Sequence, residues 1–133
     1  MGEPFESSEA WKQARILTNE VYALCRREPL SKDFGLRDQL QRAAVSVMNN
    51  IAEGWESDHI AEKRQAYNFA RRSCGEVRSM SYVLVDNKFI AATEQIKLKG
   101  QCIQAGKLIS GLIRSLGGRT EPRMPDAKPP PLT

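Results

Sequence analysis

The chain has 133 residues, 41% hydrophobic and 27% charged, which fits one soluble domain with its own core and leaves no room for a second. Twenty Lys and Arg against 16 Asp and Glu give a net charge of +4, a lean toward anionic partners that is mild beside dedicated nucleic-acid binders. No stretch approaches the ~18 apolar residues of a membrane span. The start Met1-Gly2-Glu3-Pro4-Phe5-Glu6 has no basic, apolar signal-peptide pattern, and Glu6 stands where a myristoylation signal wants Ser or Thr. Three cysteines, Cys25, Cys74 and Cys102, lie far apart, and an odd count cannot close as a full disulfide set. The expectation is a cytoplasmic protein in a reducing compartment, with no membrane or lipid anchor and with each cysteine serving as a small buried apolar side chain.

Four segments carry apolar residues at helical spacing, and none alternates with a strand's two-residue period, so the expected fold class is all-α. The first segment, about Ser8 to Arg27, places Trp11, Ala14, Leu17, Val21 and Leu24 on one face, with Glu9 in the opening turn and Arg26-Arg27 closing it. Pro29 stops it, and Asp33 is a candidate N-cap for the second. That second helix, about Phe34 to Glu56, aligns Leu36, Leu40, Ala43, Ala44, Val47 and Ile51 in a single stripe. Val45, Met48, Ala52 and Trp55 form another stripe beside it, so the apolar arc approaches roughly 200° where a surface helix shows ~100°. The surplus stripe predicts a subunit interface. Gly54 falls near the helix end, with Ser57 or Asp58 able to cap the next helix.

The third helix, about His59 to Asn87, has Tyr67, Ala70, Cys74, Val77, Ser81 and Leu84 at core spacing, weakened slightly by Gly75. The fourth is expected to open at Thr93, as its N-cap followed by Glu94, and to run through Ile96, Ile103, Ile109, Leu112, Ile113 and Leu116 to Gly117-Gly118. Short links favour an up-down-up-down antiparallel four-helix bundle over residues 1–118. Residues 119–133 hold five of the seven prolines and too little apolar content to offset ordering entropy, so a disordered tail is expected there.

Catalytic and metal motifs fare poorly. The only histidine, His59, stands three residues after Glu56 as half of a di-iron ligand pattern, but the pair straddles the break at Ser57-Asp58. Gly100 and Gly106-Lys107 imitate a phosphate loop with the wrong spacing and with Leu108 in place of Ser or Thr. No arrangement supplies an acid, a base and a nucleophile together, so no enzyme activity, cofactor, metal or small-molecule substrate is expected.

The basic residues form rows. Arg64, Arg71 and Arg78 recur every seven residues, a line about 21 Å long at 1.5 Å per residue, with no acid three or four positions away. Residues 95–120 add Lys97, Lys99, Lys107, Arg114 and Arg119 and contain no acid at all, with Lys107 and Arg114 again seven apart. Such rows bind phosphates through counterion release. The alternative is that they flank the core and pair with acids of other helices, such as Glu20 or Glu53.

The run Asp38-Gln39-Leu40-Gln41-Arg42-Ala43-Ala44-Val45-Ser46-Val47-Met48-Asn49-Asn50-Ile51-Ala52-Glu53-Gly54 resembles the signature of a bacterial family. These are the four-helix-bundle proteins encoded in intervening sequences of large-subunit ribosomal RNA genes. Phe5, Ala10-Trp11-Lys12-Gln13-Ala14, Val21-Tyr22-Ala23-Leu24, Ser73, Glu76-Val77 and Gly111-Leu112-Ile113-Arg114-Ser115-Leu116 extend the resemblance over roughly residues 5 to 117. The family commonly has Pro-Ser where this chain has Met48-Asn49, which predicts a straighter helix here. The resemblance implies homopentamers, and a related branch, the accessory variability proteins of diversity-generating retroelements, forms basic barrels that bind nucleic acid and a reverse transcriptase. Two functions are expected on these grounds. The first is a homo-oligomer, most simply a pentamer, that binds RNA, ribosomal RNA included, through Arg64, Arg71, Arg78, Lys107 and Arg114. The second is an oligomeric protein-interaction scaffold whose charge is incidental.

Overall fold

The computed structural model describes residues 2–117; the proline-rich segment 119–133 lies outside them. The described residues form four α-helices, α1 (Glu9–Cys25), α2 (Phe34–Glu56), α3 (Ile60–Asp86) and α4 (Ala92–Gly117), with 3-10 turns at Phe5–Ser7 and Leu30–Lys32. No strand occurs among the described residues, and no helix there is long and apolar enough to cross a membrane.

Local chemistry explains the boundaries. Ser8 caps α1 by accepting from the Trp11 amide at 3.3 Å, and Asp33 caps α2 by accepting from Leu36 at 3.2 Å. The last carbonyls of α2, at Gly54 and Trp55, accept from Lys63 Nζ at 3.0 and 3.1 Å, placing a cation at the negative end of the helix dipole. At the head of α4 the expected Thr93 cap is replaced. The first helical residue is Ala92, two positions before the one a Thr93 cap would give, and Glu94 Oε1 accepts from the Ala91 amide at 2.8 Å. Ser57 closes α2 and also links forward, donating to Glu62 at 2.8 Å and accepting from the His59 amide at 3.3 Å.

Side-chain pairs give the topology. Thr18 donates to the Ala44 carbonyl and Cys25 to that of Arg37; Ser46 bonds Ser73 while Gly54 abuts Tyr67. Arg71 meets Ser110 and Gln95 meets Ser81; Arg27 pairs with Glu94 and Lys97 with Glu20. In each set one number rises as the other falls. Every neighbouring pair is therefore antiparallel, and α1 packs on α2 and α4 while α3 packs on the same two.

The core has two halves. Leu17, Val21, Leu24, Leu40, Leu84 and Leu98 fill the end near the 3-10 turn at Leu30–Lys32, where Leu30 and Ile90 from the connections plug the bundle. Ala14, Val47, Ile51, Tyr67, Ala70 and Ile109 fill the other, with many alanines that let the helices approach closely. Cys25, Cys74 and Cys102 are buried and free, as expected.

A second expectation fails on α4. Ile96 is 65% exposed. The buried residues of α4 are Gln95, Leu98, Cys102, Ala105 and Ile109, a run whose 3- and 4-residue steps put position 96 about 100° off the core face. Gln95 can face inward because its amide donates to Ser81 Oγ at 3.0 Å, satisfying a group whose burial would otherwise be costly. Gly54 stands near the end of α2, as expected, and is buried there. A Cβ there would stand 2.6 Å from the Tyr67 ring, so the glycine is a contact point with α3.

Candidate nucleic-acid interface

The seam between α3 and α4 holds three of the five predicted basic residues. A groove of about 270 Å³ runs there, flanked by Arg71, Arg78 and Lys107, with none of its lining residues acidic. Its depth comes from residue size. Gly75 on α3 and Gly106 on α4 line it, and a Cβ at either would meet nothing within 4 Å. Cys74 and Cys102 lie on its inner side. Burial pushes both thiols up to about 12, so they stay protonated and supply no nucleophile near neutrality.

The cations are held without being neutralised. Arg71 donates to Ser110 Oγ at 3.1 Å and to Asn68 Oδ1 at 3.0 Å, two neutral acceptors that orient the guanidinium and leave its charge intact. Arg78, Lys107 and Arg114 have no acidic partner among the described residues. The cross-helix pairing with acids is realised at Lys97, which meets Glu20 at 3.5 Å, and at Arg27, which meets Glu94.

Of the five predicted residues, the fold brings three into the groove and sets two outside it. The Arg64 guanidinium lies against Gly117 at the end of α4, 2.9 Å from where a Cβ would be. Arg114 folds back along its own helix, 3.7 Å from the corresponding position at Gly111. Sequence spacing missed several contributors. Tyr82, one turn beyond Arg78, continues the row with a side chain 42% exposed, and Lys99 of α4 stands 5.7 Å from its ring centroid. A hydrogen bond from Lys99 pulls the Tyr82 phenol below its ordinary value, with Gln95 and Arg78 acting in the same direction. The signal was the i+4 step from Arg78 to Tyr82. Gly75, Gly106 and Ser110 had none, because their role depends on the facing helix.

The second stripe of α2 comes out half-buried. Met48 packs on the core, and the Trp55 indole N–H donates to the Glu3 carbonyl at 2.7 Å, so the chain's own start covers part of it. Val45 lines a shallow outward hollow of about 530 Å³ with Tyr22, Asp38, Arg42 and Asn49. The polar residues of the central run explain themselves. Asn50 donates to the Ser46 carbonyl at 2.9 Å and lies 3.0 Å from the Ser46 hydroxyl, which bonds Ser73 at 2.9 Å, a bridge from α2 to α3. Arg42 and Glu53 stand about 16 Å apart along one helix, and no ion pair joins them. Glu56 ends α2 while His59 precedes α3, so the two do not share a helix, and no cluster of three metal-ligating side chains occurs among the described residues.

No curated protein matches the chain. Residues 6–111 match the family described as 23S rRNA-intervening sequence protein, and the chain belongs to that family.

Proposed function

We propose that this member of the 23S rRNA-intervening sequence protein family is a non-enzymatic homo-oligomer, a pentamer in the simplest case, that binds RNA along the groove between α3 and α4. One observation carries the proposal: Arg71, Arg78 and Lys107 converge on a single trough with no acidic lining. Guanidinium and ammonium groups set along one trough and left charged suit a phosphate backbone, whose counterions they displace. The contacts position a strand without naming its sequence, which agrees with a protein whose RNA is recognised by charge and shape. Ribosomal RNA is the first candidate because of the family's name.

Assembly is supported by α2. Its outward side presents Val45 in an open hollow with Arg42 and Asp38, a mixture of apolar and complementary charged groups of the kind that subunit contacts bury. Repetition would then multiply a weak groove into useful avidity, since five copies at +4 each would carry about +20 and engage one RNA at several points.

The test is the solution mass by light scattering, with and without ribosomal RNA, at ~50 and ~200 mM salt. A ring that moves onto RNA at low salt and leaves it at high salt is expected. Replacing Arg71, Arg78 and Lys107 with Gln should lower the salt slope by about one per lost phosphate contact while leaving the melting temperature unchanged. A ring indifferent to RNA at both salts would sink RNA binding in favour of a protein-interaction scaffold, and a monomer would sink the assembly.

A further inference from the structure

The groove differs from a flat basic face in two respects, its depth and its end. The depth is set by Gly75 and Gly106, which stand within helix interiors where glycine is intrinsically worse than alanine. Packing does not demand glycine at either position, since a Cβ would meet nothing within 4 Å. Gly100, elsewhere on α4, has equally open surroundings but does not line the groove. Past the groove's end, one helical turn beyond Arg78 and outside the groove's own lining, stands the exposed ring of Tyr82, with Lys99 Nζ over the ring at 5.7 Å from its centroid.

We propose that the groove seats an unpaired nucleic-acid segment, its sugar-phosphate chain lying over Gly75 and Gly106 between Arg71, Arg78 and Lys107, with one base stacked on Tyr82. This rests on the RNA-binding function above and names its substrate class. Three features favour a single strand over a duplex. A trough of about 270 Å³ between two packed helices admits one backbone, whereas a duplex carries its phosphates on a cylinder that would touch the rims alone. Arg71 to Tyr82 spans about 16 Å of helix, the reach of a few nucleotides. An aromatic face accepts any base once it is unstacked, and bases inside a duplex are not available to it.

The experiment measures affinity by fluorescence anisotropy for a labelled oligouridine and for an RNA hairpin of equal charge, at one fixed low salt. The protein should prefer the single strand by about tenfold or more, the order of one stacked base. Tyr82→Ala should remove most of that preference and Tyr82→Phe should keep it, because the ring and not the hydroxyl stacks. Gly75→Ala with Gly106→Ala should raise the melting temperature, as Gly100→Ala should also do, but the pair alone should weaken single-strand binding several-fold. All these variants fold on these grounds, and circular dichroism verifies it. Equal affinity for both RNAs, or glycine and tyrosine variants that bind like the parent while Arg71→Gln still weakens both RNAs, would overturn the single-strand seat and leave RNA binding standing. No binding of either RNA by the parent protein would remove both.

Discussion

Glu94 gathers three roles in one carboxylate. It accepts from both terminal nitrogens of Arg27, one at 3.1 Å, ties the end of α1 to the head of α4, and caps the Ala91 amide. The Arg27 bonds lower its pKa first and the Ala91 amide second, down to about 2 from an ordinary value of 4.5. A depressed carboxylate stabilises the fold above its unfolded pKa and loses that contribution as pH falls from about 4.5 through about 2. Arg27→Gln should therefore lower the melting temperature near neutral pH and converge with the parent as the pH approaches 2. The loss should be at most about 1 kcal/mol, because both side chains stand partly in solvent. Melts at pH 7, 4.5 and 2.5 decide it, and a gap undiminished at the lowest pH would contradict the assignment. Asp33 as a cap was legible from residue type and position alone. The Glu94 cap was not, since Thr93 offers an equally good local signal and the pull of Arg27 on its neighbour comes from another helix.

At the scale of the element, α2 and α4 show how a face is chosen. Gly54 lets α2 touch the Tyr67 ring of α3, so Gly54→Ala should destabilise by about 1–3 kcal/mol through overpacking, despite alanine's better helix propensity. Tyr67→Leu in the same chain should recover part of that loss, and denaturant unfolding of the single and double variants measures the coupling. On α4 the inward phase belongs to Leu98 and its partners. Leu98→Ala should cost about 2–5 kcal/mol, the usual range for a buried leucine, while Ile96→Lys should fall within about 0.5 kcal/mol of the parent, as exposed substitutions do. The reverse ranking would restore the phase inferred from periodicity. Helix positions, by contrast, were readable throughout: α2 begins and ends at Phe34 and Glu56 as its spacing indicated, because the 3.6-residue period, Asp33 and the Ser57-Asp58 break are all local.

At the scale of the whole molecule, the question is what covers the outer side of α2. Met48 and Trp55 already have partners in this chain, so the exposed remainder centres on Val45 and its hollow. Val45→Asp should split the proposed ring into smaller species, readable by light scattering, with helicity by circular dichroism unchanged. Adding Met48→Asp should deepen the effect but also cost stability, because that side chain leans on the core; a full-sized ring in the single variant would refute this face as the interface. The basic groove belongs to the same scale, since it exists between two helices and not on either.

Residue order carries whatever depends on neighbours within a few positions: four helices, the Asp33 cap, the apolar stripes, the family signature around residues 38–54 and the seven-residue basic rows. Those features repeat with the helix's own geometry, so spacing alone exposes them. Packing decided the rest. It placed Gln95 inside and Ile96 outside, turned Gly54 into a contact with Tyr67, set Arg64 and Arg114 beside the groove rather than in it, joined Gly75 and Gly106 to Arg71, Arg78 and Lys107, and brought Lys99 over the Tyr82 ring. Each of these turns on the rotation of one helix against another, which is a balance of side-chain volumes and buried hydrogen bonds summed over the bundle and has no local period to read.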